Sequence, residues 1–438
     1  MSSRSMFNDG LSVFITKIAV IGLSILSVVI QANALGPAGR GVLAMLLIYP
    51  QLFTSIAEGG MRQATVYYVG RQSISDSRIF GASVTYTVVS ALIFSSLIYF
   101  LLATADDYEY TWVMMLAAAL FLPINLFQNA IRGMLLGKQQ IKQFNSSQWL
   151  QKIMLVAMFA LLWAFNLLTV ETAIVCMVLS LLLGFVPAMR HFFKTIFTHM
   201  EFDRASLWAM IKKGSVYAAA LFLIEANYKI AILLLGSLST KEEIGLYAVA
   251  TQVGELLWQL PAAVGLVVFS RSANDRDPTR WYAELARSIR ISLWLTLGGG
   301  LALAVIAPFL FKLCFGDEFA RSVSMTLWLL PGLVLMVVFK LLNMDLAGKG
   351  KPFVSLFIML PALGLNVGLN YLLIPTMGGN GAAIAATCSY ILAALAMLTI
   401  YTRMHSLSAL DFVLIRPDDV RLLVNKFASK FPALRREV

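Results

Sequence analysis

Charge is what this sequence has least of. Lys, Arg, Asp and Glu make up 13% of its 438 residues against 59% hydrophobic, and a mean hydropathy of +0.79 leaves too little polar surface to cover a soluble fold. Cysteine and histidine are scarce too, with three of each. Cys176, Cys314 and Cys388 fall singly in apolar runs, and His191, His199 and His405 fall in basic connections or the tail. That pattern excludes a disulfide framework and a metal-ligand spacing. Long outer connections and nucleotide-binding motifs are also missing, which argues against a membrane glycosyltransferase, polymerase or ligase. No cleavable signal is evident. The polar "MSSRSMFNDG" leads into a run long enough to remain as a span.

What is present is apolar length. A helix needs about 20 apolar residues to cross the hydrocarbon core. Twelve such runs follow one another, near 11–34, 41–68, 79–103, 111–136, 142–165, 169–189, 214–236, 243–270, 288–313, 322–347, 352–374 and 380–402. The fold class is therefore an all-α polytopic membrane protein with twelve transmembrane helices. With the N-terminus cytoplasmic, 25 of the 34 Lys and Arg residues fall in cytoplasmic segments, five lie inside spans and four lie outside: Arg40, Lys241, Lys312 and Arg321. Outer connections are acidic, as in "ADDYEY" (105–110) and "GDEF" (316–319). Both termini are expected in the cytoplasm. The net charge of +11 is then topology signal plus attraction to anionic lipid, and no nucleic-acid partner is implied.

A weak repeat divides the chain. "LGPAGRGVLA" (35–44) resembles "LGSLSTKEEIGLYA" (235–248), and "RGMLLGKQQIKQF" (132–144) resembles "NMDLAGKGKPFVSL" (343–356). Six spans separate the copies, an even number, so the two six-helix lobes are expected to be a parallel repeat. The expected units are an N-terminal lobe (1–189), a basic cytoplasmic linker (190–213) at the lipid surface, a C-terminal lobe (214–402) and a basic tail (403–438). Leu423, Phe427 and Phe431 give that tail an apolar face, suited to lying on the membrane or to a frayed helix.

Polar residues interrupt the spans in patterns. Gln51, Ser55, Glu58, Arg62 and Thr65 recur at i, i+4, i+7, i+11 and i+14, predicting one polar face on the second span, and Gln252, Glu255 and Gln259 make a similar stripe on the eighth. Lys17, Lys152, Glu225, Lys229, Lys340 and Asp345 are further ionisable residues within spans. Glu58 with Arg62 and Glu225 with Lys229 are i, i+4 pairs, open to a neutralising role. Lys17 and Asp345 lie near cytoplasmic ends and have the option of snorkelling. Lys152, Glu255 and Lys340 have no opposite charge one turn away, which points to a polar cavity. Pro50, Pro123, Pro187, Pro261, Pro308, Pro331 and Pro361 fall within spans, where kinks are expected.

The stretches "LGPAGRGVLAMLLIYPQLFTSIAEGGMRQATVYYVGR", "GMLLGKQQIKQFN", "AGKGKPF" and "GGNGAAIAAT" resemble the polysaccharide repeat-unit flippases of the O-antigen type, in the multidrug, oligosaccharidyl-lipid and polysaccharide exporter superfamily. The likeness covers about residues 8 to 402. It implies two lobes forming a V, with spans one, two, seven and eight lining the cleft. The implied activity is flipping of an undecaprenyl-diphosphate-linked oligosaccharide across the bacterial inner membrane by alternating access. For that task Arg62, Lys17, Lys152, Lys229 and Lys340 are the available cations, with Arg62 first because arginine suits bidentate phosphate contact. Gln51, Gln252, Gln259 and Asn125 are candidates for sugar contacts. Glu58, Glu225 and Glu255 are candidates for coupling to H⁺ or Na⁺, and no cofactor is expected. Partners implied are the polyprenyl-diphosphate-linked glycan, membrane lipid, and a polysaccharide polymerase with other assembly proteins. A cation-coupled multidrug exporter is the first rival; that branch often carries an acid in the first span, where this chain has Lys17. A lipid II flippase, typically with two further helices, is the second. An enzyme is not expected.

Overall fold

The computed structural model describes residues 3–105, 108–138, 140–195, 199–272 and 278–419, with backbone alone for 3–19, 141, 266, 270, 278 and 279. The Lys17 side chain and the amphipathic tail from 420 onward lie outside the described residues. Among these residues the secondary structure is helical, in the order α1 (Ser3–Ala57), α2 (Met61–Arg71), α3 (Asp76–Ala103), α4 (Trp112–Gly137), α5 (Ile141–Ala164), α6 (Val170–Thr195), α7 (Arg204–Leu238), α8 (Lys241–Glu255), α9 (Gln259–Ser272), α10 (Pro278–Phe315), α11 (Ala320–Gly348), α12 (Phe353–Met377), α13 (Gly379–His405) and α14 (Leu410–Val413). Eleven described stretches are long and apolar enough to cross a membrane, the first being the 52 residues Val20–Arg71. That stretch contains two crossings. Gly36 has φ 64° and ψ 179°, outside helical space, and positions at nearly matching distances on either side of it (Gln31 with Arg40, Val28 with Ala44, Ser24 with Leu47) line one cavity. The chain reverses at Gly36, so the twelve expected spans are present.

Proline alone does not mark the breaks, although two of them adjoin one: Gly36 precedes Pro37 and the 3₁₀ turn at Leu256–Trp258 precedes Pro261. Pro50, Pro123, Pro187, Pro308, Pro331 and Pro361 lie inside helices that remain assigned as continuous. The second span instead breaks at Gly59 and Gly60, both with positive φ, a conformation glycine adopts without steric cost. The eighth span tightens into a 3₁₀ turn at Leu256–Trp258, just before Pro261, whose ring crowds the carbonyl four residues back. Within the linker segment 190–213, α6 runs through Thr195 and α7 starts at Arg204. Asp203 caps α7 by accepting from the Ala205 and Ser206 N–H groups.

Side-chain packing follows the two halves. One large apolar core is built mainly from α7 to α13, and two smaller ones occupy the two ends of the α1–α6 half. Polar seams tie the second half together. Asn366 Nδ2 donates to Asn227 Oδ1 at 3.0 Å and Ser389 Oγ donates to the same oxygen at 2.8 Å, joining α12, α13 and α7. Asp345, for which snorkelling was one option, is fully buried and accepts from Ser272, Trp281, Lys349 and Tyr401, each at 2.7 Å. A buried carboxylate needs such satisfaction, since an unpaired one is costly. The start of the tail is docked as well: Arg290 on α10 reaches Asp419 at 2.6 Å, and that hydrogen bond holds the Asp419 carboxyl below its ordinary range.

Candidate functional site

The two halves approach each other closely at two levels, and a cavity lies between them. At the Gly36 end, a Cβ on Gly41 would collide with the Lys241 carbonyl and one on Gly245 would collide with the Pro37 carbonyl. These contacts are reciprocal at one offset: 41 to 245 and 37 to 241 both differ by 204. Such a swap of partners is the mark of a two-fold related interface. At the opposite end, Gly60 at the α1–α2 break meets the Gly214 backbone of α7 just as tightly. Only glycine allows backbones so near.

The cavity, ≈ 270 Å³, is lined chiefly by both arms of α1 and by α7 and α8, with Lys152 of α5 and Met177 of α6. The same offset governs its walls. Ala44, Leu47 and Gln51 line it from α1, and Ala248, Thr251 and Glu255 line it from α8. Ile25 and Val28 of α1 are matched by Lys229 and Ile232 of α7. The weak repeat is thus a structural register, and its four inner helical segments are those the family resemblance implies.

Of the sequence candidates, Gln51, Lys152, Lys229, Gln252, Glu255 and Gln259 line this cavity. Lys229 Nζ lies 3.7 Å from Glu255, so its ion partner is on the neighbouring helix α8 and the i, i+4 pairing that sequence left open with Glu225 is not the one formed. Lys152 has no ion-pair or hydrogen-bond partner among the described residues. Lys340 stands behind the wall, its Nζ 3.8 Å from the Trp258 ring centre and 4.6 Å from that of Tyr228. A cation over two aromatic faces is held by their quadrupoles. Glu225 is not among the cavity-lining residues.

Arg62, Glu58 and Asn125 are elsewhere. Arg62 Nε sits 3.1 Å from Glu58, and Glu58 also accepts from Asn129 Nδ2 at 3.0 Å. Because the helix breaks at Gly59, the expected continuous polar stripe is interrupted, and Thr65 turns into the protein to meet Ser83 at 3.1 Å. Asn125 donates back to the Phe121 carbonyl at 2.8 Å.

Five polar residues of the cavity were not singled out as site candidates from sequence: Ser24, Ser27, Gln31, Arg40 and Thr251. Arg40, counted there among outer residues, is 3% exposed. The tight reversal at Gly36 places it inside the following helix rather than in a loop. Its Nη1 donates to Gln31, which in turn donates to Ser27 at 3.0 Å. Its Nη2 donates to Gln252 at 2.8 Å, across to α8. Its Nε is buried with no partner. Ser24, Ser27 and Gln31 recur at i, i+3 and i+7, a helical spacing that does carry the signal. Among the described residues the cavity lining thus holds three cations, Arg40, Lys152 and Lys229, against one carboxylate, Glu255. Chemically it can hold a multiply charged anion and hydrogen-bond hydroxyl groups through its amides.

A search of curated proteins found no match. Among solved structures, the chain is similar to a MATE family multidrug resistance transporter of the MOP superfamily in its inward-facing conformation, with a TM-score of 0.69 at 17% identity, covering 89% of this chain and 97% of that one. It is similar to the lipid II flippase MurJ in an inward closed conformation, at 0.70 and 14%, covering 97% and 93%. A MOP superfamily transporter from Pyrococcus furiosus matches at 0.62 and 16%, covering 89% and 96%. Likeness at such identities establishes the polytopic two-lobe fold. The family model described as "Polysaccharide biosynthesis protein" matches residues 7–273, more than half of the chain, and the protein therefore belongs to that family.

Proposed function

We propose that this protein flips an undecaprenyl-diphosphate-linked oligosaccharide from the cytoplasmic to the outer leaflet of the bacterial inner membrane by alternating access. The observation that carries this reading is the unbalanced charge of the inter-lobe cavity. A cation in the membrane interior costs at least ~2.5 kcal/mol, and neither Arg40 nor Lys152 has a carboxylate partner there. A diphosphate supplies the missing negative charge. In this reading Arg40 and Lys152 grip the diphosphate, Lys229 adds a third contact, and Gln31, Gln51, Gln252 and Gln259 meet sugar hydroxyls. The Gly36 end faces outward, both termini are cytoplasmic, and residues 1–189 and 214–402 move as the two lobes. No step makes or breaks a covalent bond.

Coupling to H⁺ or Na⁺ belongs to the second half in this account. Glu255 shares Lys229 with the cavity, so an anion that draws Lys229 away leaves a carboxylate free to take a cation. The same cavity charge disfavours export of cationic drugs, because an excess of fixed positive charge repels them. The testing experiment is surface polysaccharide in a flippase-deficient host expressing Arg40→Gln with Lys152→Gln. Normal membrane abundance with loss of polysaccharide is expected; full surface polysaccharide from a well-expressed double variant would overturn the assignment.

A further inference from the structure

The outer closure and the anion site share one side chain. Arg40 is adjacent to Gly41, whose backbone packs against Lys241 and Gly245 of the other lobe. Arg40 also hydrogen-bonds across the lobes at this level, through Nη2 to Gln252 at 2.8 Å, beside a peripheral tie from Asn33 Nδ2 to the Cys314 carbonyl at 2.7 Å. An arginine offers its parallel pair of N–H bonds along the edge formed by Nε and Nη2. Here Nε is buried and unpartnered while Nη2 is occupied by a neutral amide oxygen. A charged oxygen pair makes much stronger hydrogen bonds than one neutral amide.

We propose that this arrangement is a latch released by the anionic head of the substrate: an anion that takes the Nε and Nη2 edge of Arg40 displaces Gln252 and frees the two lobes at their outer ends. The proposal rests on the diphosphate reading above. The reciprocal glycines set how firmly the latch closes, because they allow Pro37 and Lys241 to approach Gly245 and Gly41 without an intervening side chain. Recognition and opening are then one event. A cavity without anion stays shut on the outside, and loss of the anion to the outer leaflet returns Nη2 to Gln252.

Binding and latching compete for the same edge, so the latch has a thermodynamic signature. Removing the latch partner should tighten anion binding, whereas removing an ordinary cavity contact weakens it. The test uses the full-length purified chain in lipid nanodiscs, with Cys176, Cys314 and Cys388 replaced by alanine and spin labels at Thr104 and Asp317. Both labelled sites are exposed and lie on different lobes at the Gly36 end. Inorganic pyrophosphate is the probe, with its binding measured by calorimetry on the same samples. In the protein with native cavity residues, pyrophosphate should shift the label pair to a longer distance. Gln252→Leu should show that longer distance without probe and bind pyrophosphate about tenfold more tightly. Gly245→Ala should hold the outer ends apart with or without probe. Pyrophosphate binding without any lengthening, or weaker binding by Gln252→Leu, would overturn the latch and leave the anion site standing. Absence of pyrophosphate binding at any concentration would overturn the diphosphate reading itself, and the latch with it.

Discussion

At the offset of 204 residues, Gln51 of α1 stands where Glu255 stands in α8, Leu47 where Thr251 stands, and Ile25 where Lys229 stands. The backbone frame is repeated; the charge is not. On the first-half wall, Arg40 and Lys152 are cations without a carboxylate. On the second-half wall, Lys229 is paired with Glu255, with Lys340 in its aromatic cage and Glu225 nearby on α7. In our account duplication supplies two walls that move against each other, and divergence divides the work between them. In our account the first half grips the anion and the second half exchanges it for a cation.

The largest expected effect removes the grip. Arg40→Gln should slow flipping by about a hundredfold, as two charge-assisted hydrogen bonds together carry roughly 3 kcal/mol. Arg40→Lys should recover part of that, since charge survives without the fork. Flipping rate normalised to membrane abundance checks both.

A smaller effect comes from making the walls alike. Gln51→Glu copies the acid of the second half into the first and offers Lys152 and Arg40 a resident partner. Pyrophosphate affinity should fall about tenfold, on ~1.4 kcal/mol of competing attraction. The reverse change sharpens the contrast: Glu255→Gln frees Lys229, so anion affinity should rise several-fold while the dependence of transport on an ion gradient disappears. Calorimetry and gradient-dissipation assays on the same variant separate those two outcomes.

The smallest effect is expected at Glu58 and Arg62. Their ion pair is a third exposed on the arginine side, so screening limits it to about 0.5–1 kcal/mol. Glu58→Gln with Arg62→Gln should fold and support nearly full surface polysaccharide. A well-inserted but inactive double variant would return Arg62 to the substrate site.

Much of this was legible before any coordinates. Span number and the two halves follow from apolar length and from the "LGPAGRGVLA" repeat, because lipid leaves a spanning chain few alternatives to helix; the inner helices were implied only by the family resemblance. The stripe of Gln252, Glu255 and Gln259 survives as cavity lining because helical period alone places it. Arg62 lies away from this cavity, beyond the two positive-φ glycines that interrupt its helix. Arg40 was overlooked. A one-residue reversal at Gly36 leaves no loop, yet counting of basic residues by topology assigns it to one. Which acid meets Lys229 was also beyond sequence, because Glu225 and Glu255 are both available and the packing of α7 on α8 selects the second.

The most direct measurement reconstitutes the purified protein in proteoliposomes with a polyprenyl-diphosphate-linked sugar and follows its appearance in the opposite leaflet. The account predicts flipping that is lost in Arg40→Gln with Lys152→Gln and kept in Glu58→Gln with Arg62→Gln. Equal rates from wild type and from the Arg40 and Lys152 double variant would contradict it.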